Sequence, residues 1–215
     1  YFGNAQNANS AGYITFDGGA QKSLRFTMRK TVVPSFPSPF VSVFYLGSGS
    51  SNIQVKNCII NNADGVTPSY ATSLPQVQFN SGSNQFRFEG NTRSTTISYT
   101  SGITQRDTIN PDNLGNLDTL INTNNKFMNN EINGFGYGIV SIGIGTLIKA
   151  GINDFRPYYN LGTEISNNLI YNVRRAGVFA AYEDGVKITG NRIYNVGSAT
   201  GGSEGDCAGI IAGGE

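Results

Sequence analysis

Val186-Lys187-Ile188-Thr189-Gly190-Asn191-Arg192-Ile193-Tyr194-Asn195-Val196 repeats, position by position, the earlier stretch Thr163-Glu164-Ile165-Ser166-Asn167-Asn168-Leu169-Ile170-Tyr171-Asn172-Val173. Lys126-Phe127-Met128-Asn129-Asn130-Glu131-Ile132-Asn133, Phe86-Arg87-Phe88-Glu89-Gly90-Asn91 and Ile53-Gln54-Val55-Lys56-Asn57-Cys58-Ile59-Ile60-Asn61-Asn62 follow the same frame with falling fidelity. Apolar and polar residues alternate in each, as Leu24, Phe26 and Met28 do against Arg25, Thr27 and Arg29, and a period of two is that of a strand. The anchors Phe26, Val55, Phe88, Phe127, Ile165 and Ile188 recur at intervals of 23 to 39 residues. Irregular spacing in that range predicts stacked supersecondary units with loops of unequal length between them.

A second strand falls in each unit, at residues 13–16, 40–46, 77–80, 138–144, 177–182 and 209–212. Turn residues such as Asp17-Gly18-Gly19 and Glu183-Asp184-Gly185 follow it. Segments that return in one order stack in parallel on their predecessors. The expected fold is therefore all-β, a right-handed parallel β-helix with irregular loop insertions, in a single domain over residues 1–215. Residues 104–120, with Asn110-Pro111-Asp112 as a turn, read as a long inserted loop. Asn91, Asn130, Asn168 and Asn191 share one position of the frame, where the strand must turn out of its sheet. Asn tolerates left-handed backbone there and can bond the identical amide one coil away, for about 1 kcal/mol net per bond. Cys58 holds that position in the second unit.

Composition acts mainly by exclusion. The formal net charge is +1 and only 13% of residues are charged, which leaves no basic face for nucleic acid and no acidic tail. The chain has no His, so the commonest general base and metal ligand are missing, while 28 Gly provide for many tight turns. No run of about 20 apolar residues is present, so no membrane span is expected. Cys58 and Cys207 do not make a disulfide framework. Four rungs of about 4.8 Å would part them by roughly 19 Å, so two free thiols are expected. A start at Tyr1 without Met, and an end at Glu215 in an apolar Gly-rich run, read as a segment of a longer protein.

Phe16-Asp17-Gly18-Gly19 with Leu24-Arg25-Phe26-Thr27, Asn52-Ile53-Gln54-Val55-Lys56-Asn57-Cys58-Ile59-Ile60, and Ile188-Thr189-Gly190-Asn191-Arg192-Ile193 resemble the parallel β-helix repeats of the pectate-lyase-like superfamily. They resemble most the Asn- and Gly-rich β-helix regions of secreted bacterial surface proteins exported through the type IX system. The resemblance spans nearly the whole chain and implies the fold, together with a secreted or cell-surface location. A likeness of repeats carries fold further than activity. It also implies a reaction class to weigh, because enzymes of this superfamily cleave acidic polysaccharides. They do so by calcium-assisted elimination with an Arg or Lys base, or by hydrolysis with paired carboxylates. The Gly-His-Gly segment of the hydrolytic type is absent from a chain without His.

Aligning Gly177-Val178-Phe179-Ala180-Ala181-Tyr182-Glu183 with Gly209-Ile210-Ile211-Ala212-Gly213-Gly214-Glu215 puts Glu183 and Glu215 at one position of successive coils, about 5 Å apart at Cα. Carboxylates that close push their pKa values apart and suit a retaining glycosidase; Asp184, Lys187, Arg174 and Arg175 lie near in sequence to bind a uronate. The alternative is a pair of solvated turn residues whose side chains diverge. Calcium is a second candidate, since Asp17, Glu183-Asp184 and Glu204-Gly205-Asp206 lie in turns, but the ion asks for about six to eight converging oxygens and these acids are scattered. No dedicated metal site is expected.

Tyr171 and Tyr194 share a frame position and, facing outward, would form a stacked ladder able to lie against sugar rings or another chain. Tyr158 and Tyr159, in an inserted segment, are further carbohydrate-binding candidates. Ordinary ladder packing and a loop folded back on the sheet are the alternatives. Three functions follow. The first is a non-catalytic structural or adhesive segment of a secreted bacterial cell-surface protein, partnered by an extracellular polysaccharide, a surface protein, or a copy of itself end to end. The others are a polysaccharide lyase or glycoside hydrolase, and a carbohydrate-binding module. Low charge and the lack of His favour the first.

Overall fold

The computed structural model describes residues 11–28, 40–47, 49–63, 76–80, 85–89, 99–106, 119–143, 145–146, 157–197 and 207–213. Within them every regular element is a β-strand, apart from a 3₁₀ turn at residues 119–120. The first unit supplies β1 (Thr15–Asp17), β2 (Leu24–Met28) and β3 (Phe40–Leu46). The second supplies β4 (Gln54–Lys56) and β5 (Cys58–Asn62), then, after β6 (Gln76–Asn80) and β7 (Gln85–Glu89), β8 (Tyr99–Arg106). The third is β9 (Lys126–Met128), β10 (Glu131–Asn133) and β11 (Tyr137–Ile142), followed by the short strands β12 (Gly145–Thr146), β13 (Pro157–Tyr158) and β14 (Asn160–Leu161). The fourth is β15 (Glu164–Ser166), β16 (Leu169–Val173) and β17 (Ala176–Ala181), then β18 (Glu183–Asp184). The fifth is β19 (Lys187–Thr189), β20 (Arg192–Val196) and β21 (Ala208–Gly213).

Fifteen of these strands make three five-stranded sheets, β1-β4-β9-β15-β19, β2-β5-β10-β16-β20 and β3-β8-β11-β17-β21, each wholly parallel, and the other six pair as β6-β7, β12-β13 and β14-β18. The chain visits first, second and third sheet in the same order in every unit, an arrangement compatible with a parallel β-helix. Each unit therefore holds three strands where the alternation suggests two. The anchor segment is broken at one residue, Asn57, Asn129, Asn167 or Gly190, whose φ of 56°, 52°, 55° and 64° turns the chain from the first sheet into the second. The left-handed position thus lies one residue before the Asn column expected to hold it. Tyr13, Asn52, Asn124, Gly162 and Gly185, with φ of 59°, 54°, 54°, 65° and 70°, make the corresponding turn into the first sheet.

Register corrects two of the anchors. Phe16, not Phe26, aligns with Val55, Phe127, Ile165 and Ile188 in the first sheet. Phe26 aligns with Ile60, Ile132, Ile170 and Ile193 in the second, because five extra residues after Gly18 part the two strands of this unit. Phe88 and residues 77–80 belong to the antiparallel β6–β7 hairpin. Alternation has the same period in parallel and antiparallel strands, so it does not identify a strand's partner. Of the segment 104–120 expected to loop, residues 104–106 instead continue β8, with Thr104 paired to Val140, and residues 107–118 lie outside the described residues.

The interior is a stack of Val55, Phe127 and Ile165 against Ile60, Ile132 and Ile170 and against Ile103, Ile139 and Val178, all fully buried. The third sheet is buried on its other face too, where Tyr137, Val140, Ile142 and Phe179 pack together, and every residue of β11 and β17 is buried. Burial on both faces is why these two strands read as near-continuous apolar runs. At the turn between first and second sheets the interior is lined by amides. Asn130 Nδ2 donates to Asn168 Oδ1 at 3.1 Å, and Asn168 Nδ2 to Asn191 Oδ1 at 2.9 Å. Cys58 ends this column; its N–H reaches Asn130 Oδ1 at 3.0 Å, and burial pushes its thiol up. Cys58 and Cys207 are both free, as expected, but three strand steps apart and not four, since the hairpin is not a rung.

Candidate functional site

The inward column at the end of the third sheet runs Leu46, Gln105, Ser141, Ala180, Ala212. Side chains shrink along it, and where it ends in two alanines the interior is not filled. A cavity of about 410 Å³ opens there, lined by Tyr159, Ala180, Tyr182, Glu183, Val186 and Ala212 among others.

Glu183 reaches this cavity because β18 pairs it with Asn160. The same column continues upstream to Asn122 and Ser50, and amides link its members. Ser50 N–H donates to Asn122 Oδ1 at 2.9 Å, Asn122 Nδ2 to Asn160 Oδ1 at 3.2 Å, and Asn160 Nδ2 to Glu183 Oε1 at 2.7 Å. The Ser141 hydroxyl donates to the same Oε1. Ser141 in turn accepts from Gln105 Nε2, which also reaches Thr163 Oγ1, both at 3.1 Å. Asn125 Nδ2 donates to Gln105 Oε1 at 2.9 Å. Glu183 is the one carboxylate in this interior polar seam. Its Oε2 is shut off from water and has no hydrogen-bond partner.

Burial pushes the Glu183 carboxyl above its ordinary range, with hydrogen bonds from Asn160, Ser141 and Thr163 offsetting part of the effect. Such a group takes up a proton on folding. Its cost is absent below the unfolded value, near 4.5, and grows as pH rises through the raised folded value. Glu183→Gln removes that cost. The variant's stability relative to the parent is expected to climb as pH rises from 4 to 8. Paired thermal melts across this range read it directly, and a difference flat in pH refutes it.

The other expected site residues fall elsewhere. Asp184 is exposed and in register with Leu161. Lys187 is exposed on the outer column Lys126, Glu164, Lys187 of the first sheet, where Lys126 Nζ lies 3.2 Å from Glu164 Oε2. Glu215, Glu204 and Asp206 lie outside the described residues. Among the described residues, Glu183 is surrounded by hydroxyls, amides and rings. Asp17 is engaged by Lys56 at 3.2 Å, by Asn57 Nδ2 at 2.7 Å and by the Gly19 N–H at 2.8 Å, and the Asn57 bond above all holds its carboxyl below the usual range. Among the described residues no three His, Cys, Asp or Glu side chains gather where they could hold a metal, and no helix is long and apolar enough to cross a membrane.

Tyr158 is buried in β13, whereas Tyr159 faces Tyr182 on the cavity wall with ring centroids 6.1 Å apart and planes at 41°. Tyr171 and Tyr194 are in register on the second sheet and stack at 5.1 Å with planes 2° apart. Tyr194 is 39% exposed, and the Arg192 guanidinium lies 5.5 Å from its ring centre. Tyr171 donates its hydroxyl to Glu131 Oε1 at 2.9 Å; burial and that bond push its pKa up to about 12. The polar seam of Gln105, Asn125, Ser141 and Thr163 is not among the residues expected from sequence. Its signal is a polar residue at the inward phase of an apolar strand, Gln105 two places after Ile103 and Ser141 two after Ile139. Comparisons with protein-family models, with curated proteins and with solved structures find no match for this chain.

Proposed function

We propose that the chain is a right-handed parallel β-helix of the pectate-lyase-like kind, serving as a non-catalytic structural or adhesive segment of a secreted bacterial cell-surface protein. The observation that carries this reading is the use made of its amides. Asn130, Asn168 and Asn191 bond from unit to unit inside, and Asn133, Asn172 and Asn195 do so outside, at 2.8 and 3.1 Å. Asn57 and Asn129 add a further rung-to-rung bond at 2.6 Å. Polar groups engaged this way hold neighbouring coils in register along the stacking axis, which is what a load-bearing shaft requires. The test is a panel of acidic and neutral polysaccharides incubated with the chain, with calcium and with chelator, followed by reducing-end and unsaturated-product assays. No cleavage is expected. Cleavage abolished by Glu183→Gln overturns this reading in favour of a polysaccharide lyase or glycoside hydrolase.

The Tyr171–Tyr194 stack favours an adhesive shaft that contacts an extracellular polysaccharide or a surface protein through the outer face of the second sheet. For a glycan that binds, Tyr194→Ala is expected to weaken affinity by roughly fivefold, the worth of one ring contact of about 1 kcal/mol, while leaving stability within about 0.5 kcal/mol. Surface plasmon resonance on an immobilised glycan measures the first and a melt the second. Unchanged affinity removes the tyrosines from the contact.

A further inference from the structure

We infer that Asn133 is a self-modification site, at which the Gly134 nitrogen attacks the Asn133 side-chain amide when the corner of the third unit opens. The attack forms a bond from Gly134 N to Asn133 Cγ, breaks the bond from Cγ to Nδ2 and releases ammonia. Water then opens the cyclic imide at either carbonyl, leaving aspartate or, with the backbone rerouted through the side chain, isoaspartate. This goes beyond the structural reading above and does not depend on it. Asn133-Gly134 is the one Asn-Gly step in the chain, and glycine has no Cβ to shield its nitrogen. The corner explains why that step exists. Asn172 and Asn195, each with φ of 52°, turn the chain out of the second sheet in the fourth and fifth units, and Gly134, with φ of 84°, stands at their place in the third. Asn195 Nδ2 therefore reaches the corner amide of the preceding unit, Asn172 Oδ1, at 3.1 Å. Asn172 Nδ2 meets a glycine at that place and donates to Asn133 Oδ1 at 2.8 Å instead.

The closed corner keeps both reacting groups engaged. Gly134 N–H donates to Tyr171 O at 3.3 Å, Gly134 O accepts from Asn62 Nδ2 at 3.0 Å, and Asn172 holds the Asn133 amide. β10 is paired on both sides, so that Asn133 is in register with Asn61 and with Tyr171. An amide nitrogen attacks only after giving up its proton, and this one is bonded into the stack. Conversion therefore runs at the rate of a free peptide multiplied by the fraction of time the corner is open. Asn133 is partly exposed, so water reaches the imide once it forms. Either product changes the rung. Glu131 lies two residues earlier on the same outer face, so aspartate sets a second carboxylate beside it. Isoaspartate lengthens the backbone at the end of β10, and the residues beyond it fall out of step with both neighbouring strands. β10 is the middle strand of the second sheet, so the mark is left inside the stack and not at its edge.

The test incubates the folded chain at pH 8 beside the chain unfolded in urea and beside a blocked synthetic peptide spanning Glu131–Phe135. Peptide mass spectrometry locates the positions that lose ammonia and gain water, and chromatography separates aspartate from isoaspartate. In the unfolded chain Asn133 is expected to convert before the other asparagines, at the rate of the peptide. In the folded chain it is expected to convert at least about tenfold more slowly, and faster as urea is raised below the unfolding transition. Asn172→Gly keeps a residue suited to the left-handed corner and deletes the amide that holds Asn133. In the same sub-denaturing urea this variant is expected to convert about two- to fivefold faster than the parent, the worth of one partly exposed amide bond. Asn133→Gln is expected to abolish the signal at that position. A folded-state rate equal to that of the peptide, faster conversion at another asparagine of the unfolded chain, or a parental rate in Asn172→Gly overturns the proposal.

Discussion

Asn168→Ala is expected to lose about 3–5 kcal/mol of folding stability, a large part of what a domain of this size holds. The expectation rests on four bonds made by one buried amide. Asn168 Oδ1 accepts from the Asn130 N–H at 2.9 Å and from Asn130 Nδ2 at 3.1 Å. Its Nδ2 donates to Phe127 O at 2.8 Å and to Asn191 Oδ1 at 2.9 Å. Alanine removes the donor and acceptor together and leaves the Asn130 N–H inside the stack with nothing to bond, while Phe127 O and Asn191 Oδ1 each lose one donor. Each orphaned buried group costs about 1–3 kcal/mol, more than the bond itself contributes when made. Asn133→Ala is the control. It breaks the same kind of amide contact, 2.8 Å from Asn172 Nδ2, at a partly exposed position where water substitutes, and should cost under about 1 kcal/mol. Denaturant titration of both variants decides it: equal losses mean that the inner ladder is no more than decoration.

The ladder also marks how far the sequence could be read. Asn recurs at one frame position because only a side chain carrying donor and acceptor together can serve the coil below and the coil above, so the column is visible in the residues alone. The break of these units into three strands is less visible, since it hangs on a single left-handed residue that is Asn in the second, third and fourth units and Gly in the fifth. Phe88 shows the main hazard. Its segment alternates like a rung, yet it pairs antiparallel with β6, and counting it as a rung lengthened the stack between Cys58 and Cys207 by one step.

Glu183 was legible as a position and not as an environment. The alignment that singles it out is the true register, Val178 with Ile210 through Ala181 with Gly213. Its partners Ser141 and Asn160 stand 42 and 23 residues away, one on the third sheet and one at a turn, so only the folded stack brings them to the carboxylate. A Glu beside Asp and Gly has the local pattern of a solvated turn, and nothing in that pattern reports that the column ahead of it shrinks to alanine.

Gly138→Val is expected to be the most damaging single change in the third sheet, costing upward of about 4 kcal/mol, with Gly138→Ala at about 2–4 kcal/mol. Gly102, Gly138, Gly177 and Gly209 hold one column of that sheet, and the isoleucines of the second sheet press against it. A Cβ at Gly138 would lie 2.5 Å from Gly177 O and 2.5 Å from Ile170 Cγ2. The first contact is with backbone that is itself bonded into the sheet, so the strands must part or the sheets must separate. The second is with a fully buried side chain that has no empty space to enter. Gly209→Ala tests the cause, because there the nearest atom is Ile193 Cγ2 at 4.0 Å and the methyl group fits, so the cost should fall below about 1 kcal/mol. In Gly138→Ala with Ile170→Ala, the new methyl enters space that Cγ2 vacates, and the pair should cost about 1 kcal/mol less than the two changes separately. The contact with Gly177 O persists in that double variant, so full recovery would show that the sheets, not the strands, set the spacing. Equal losses at Gly138 and Gly209 would mean instead that glycine serves the backbone alone and that the close approach of the two sheets does not require it.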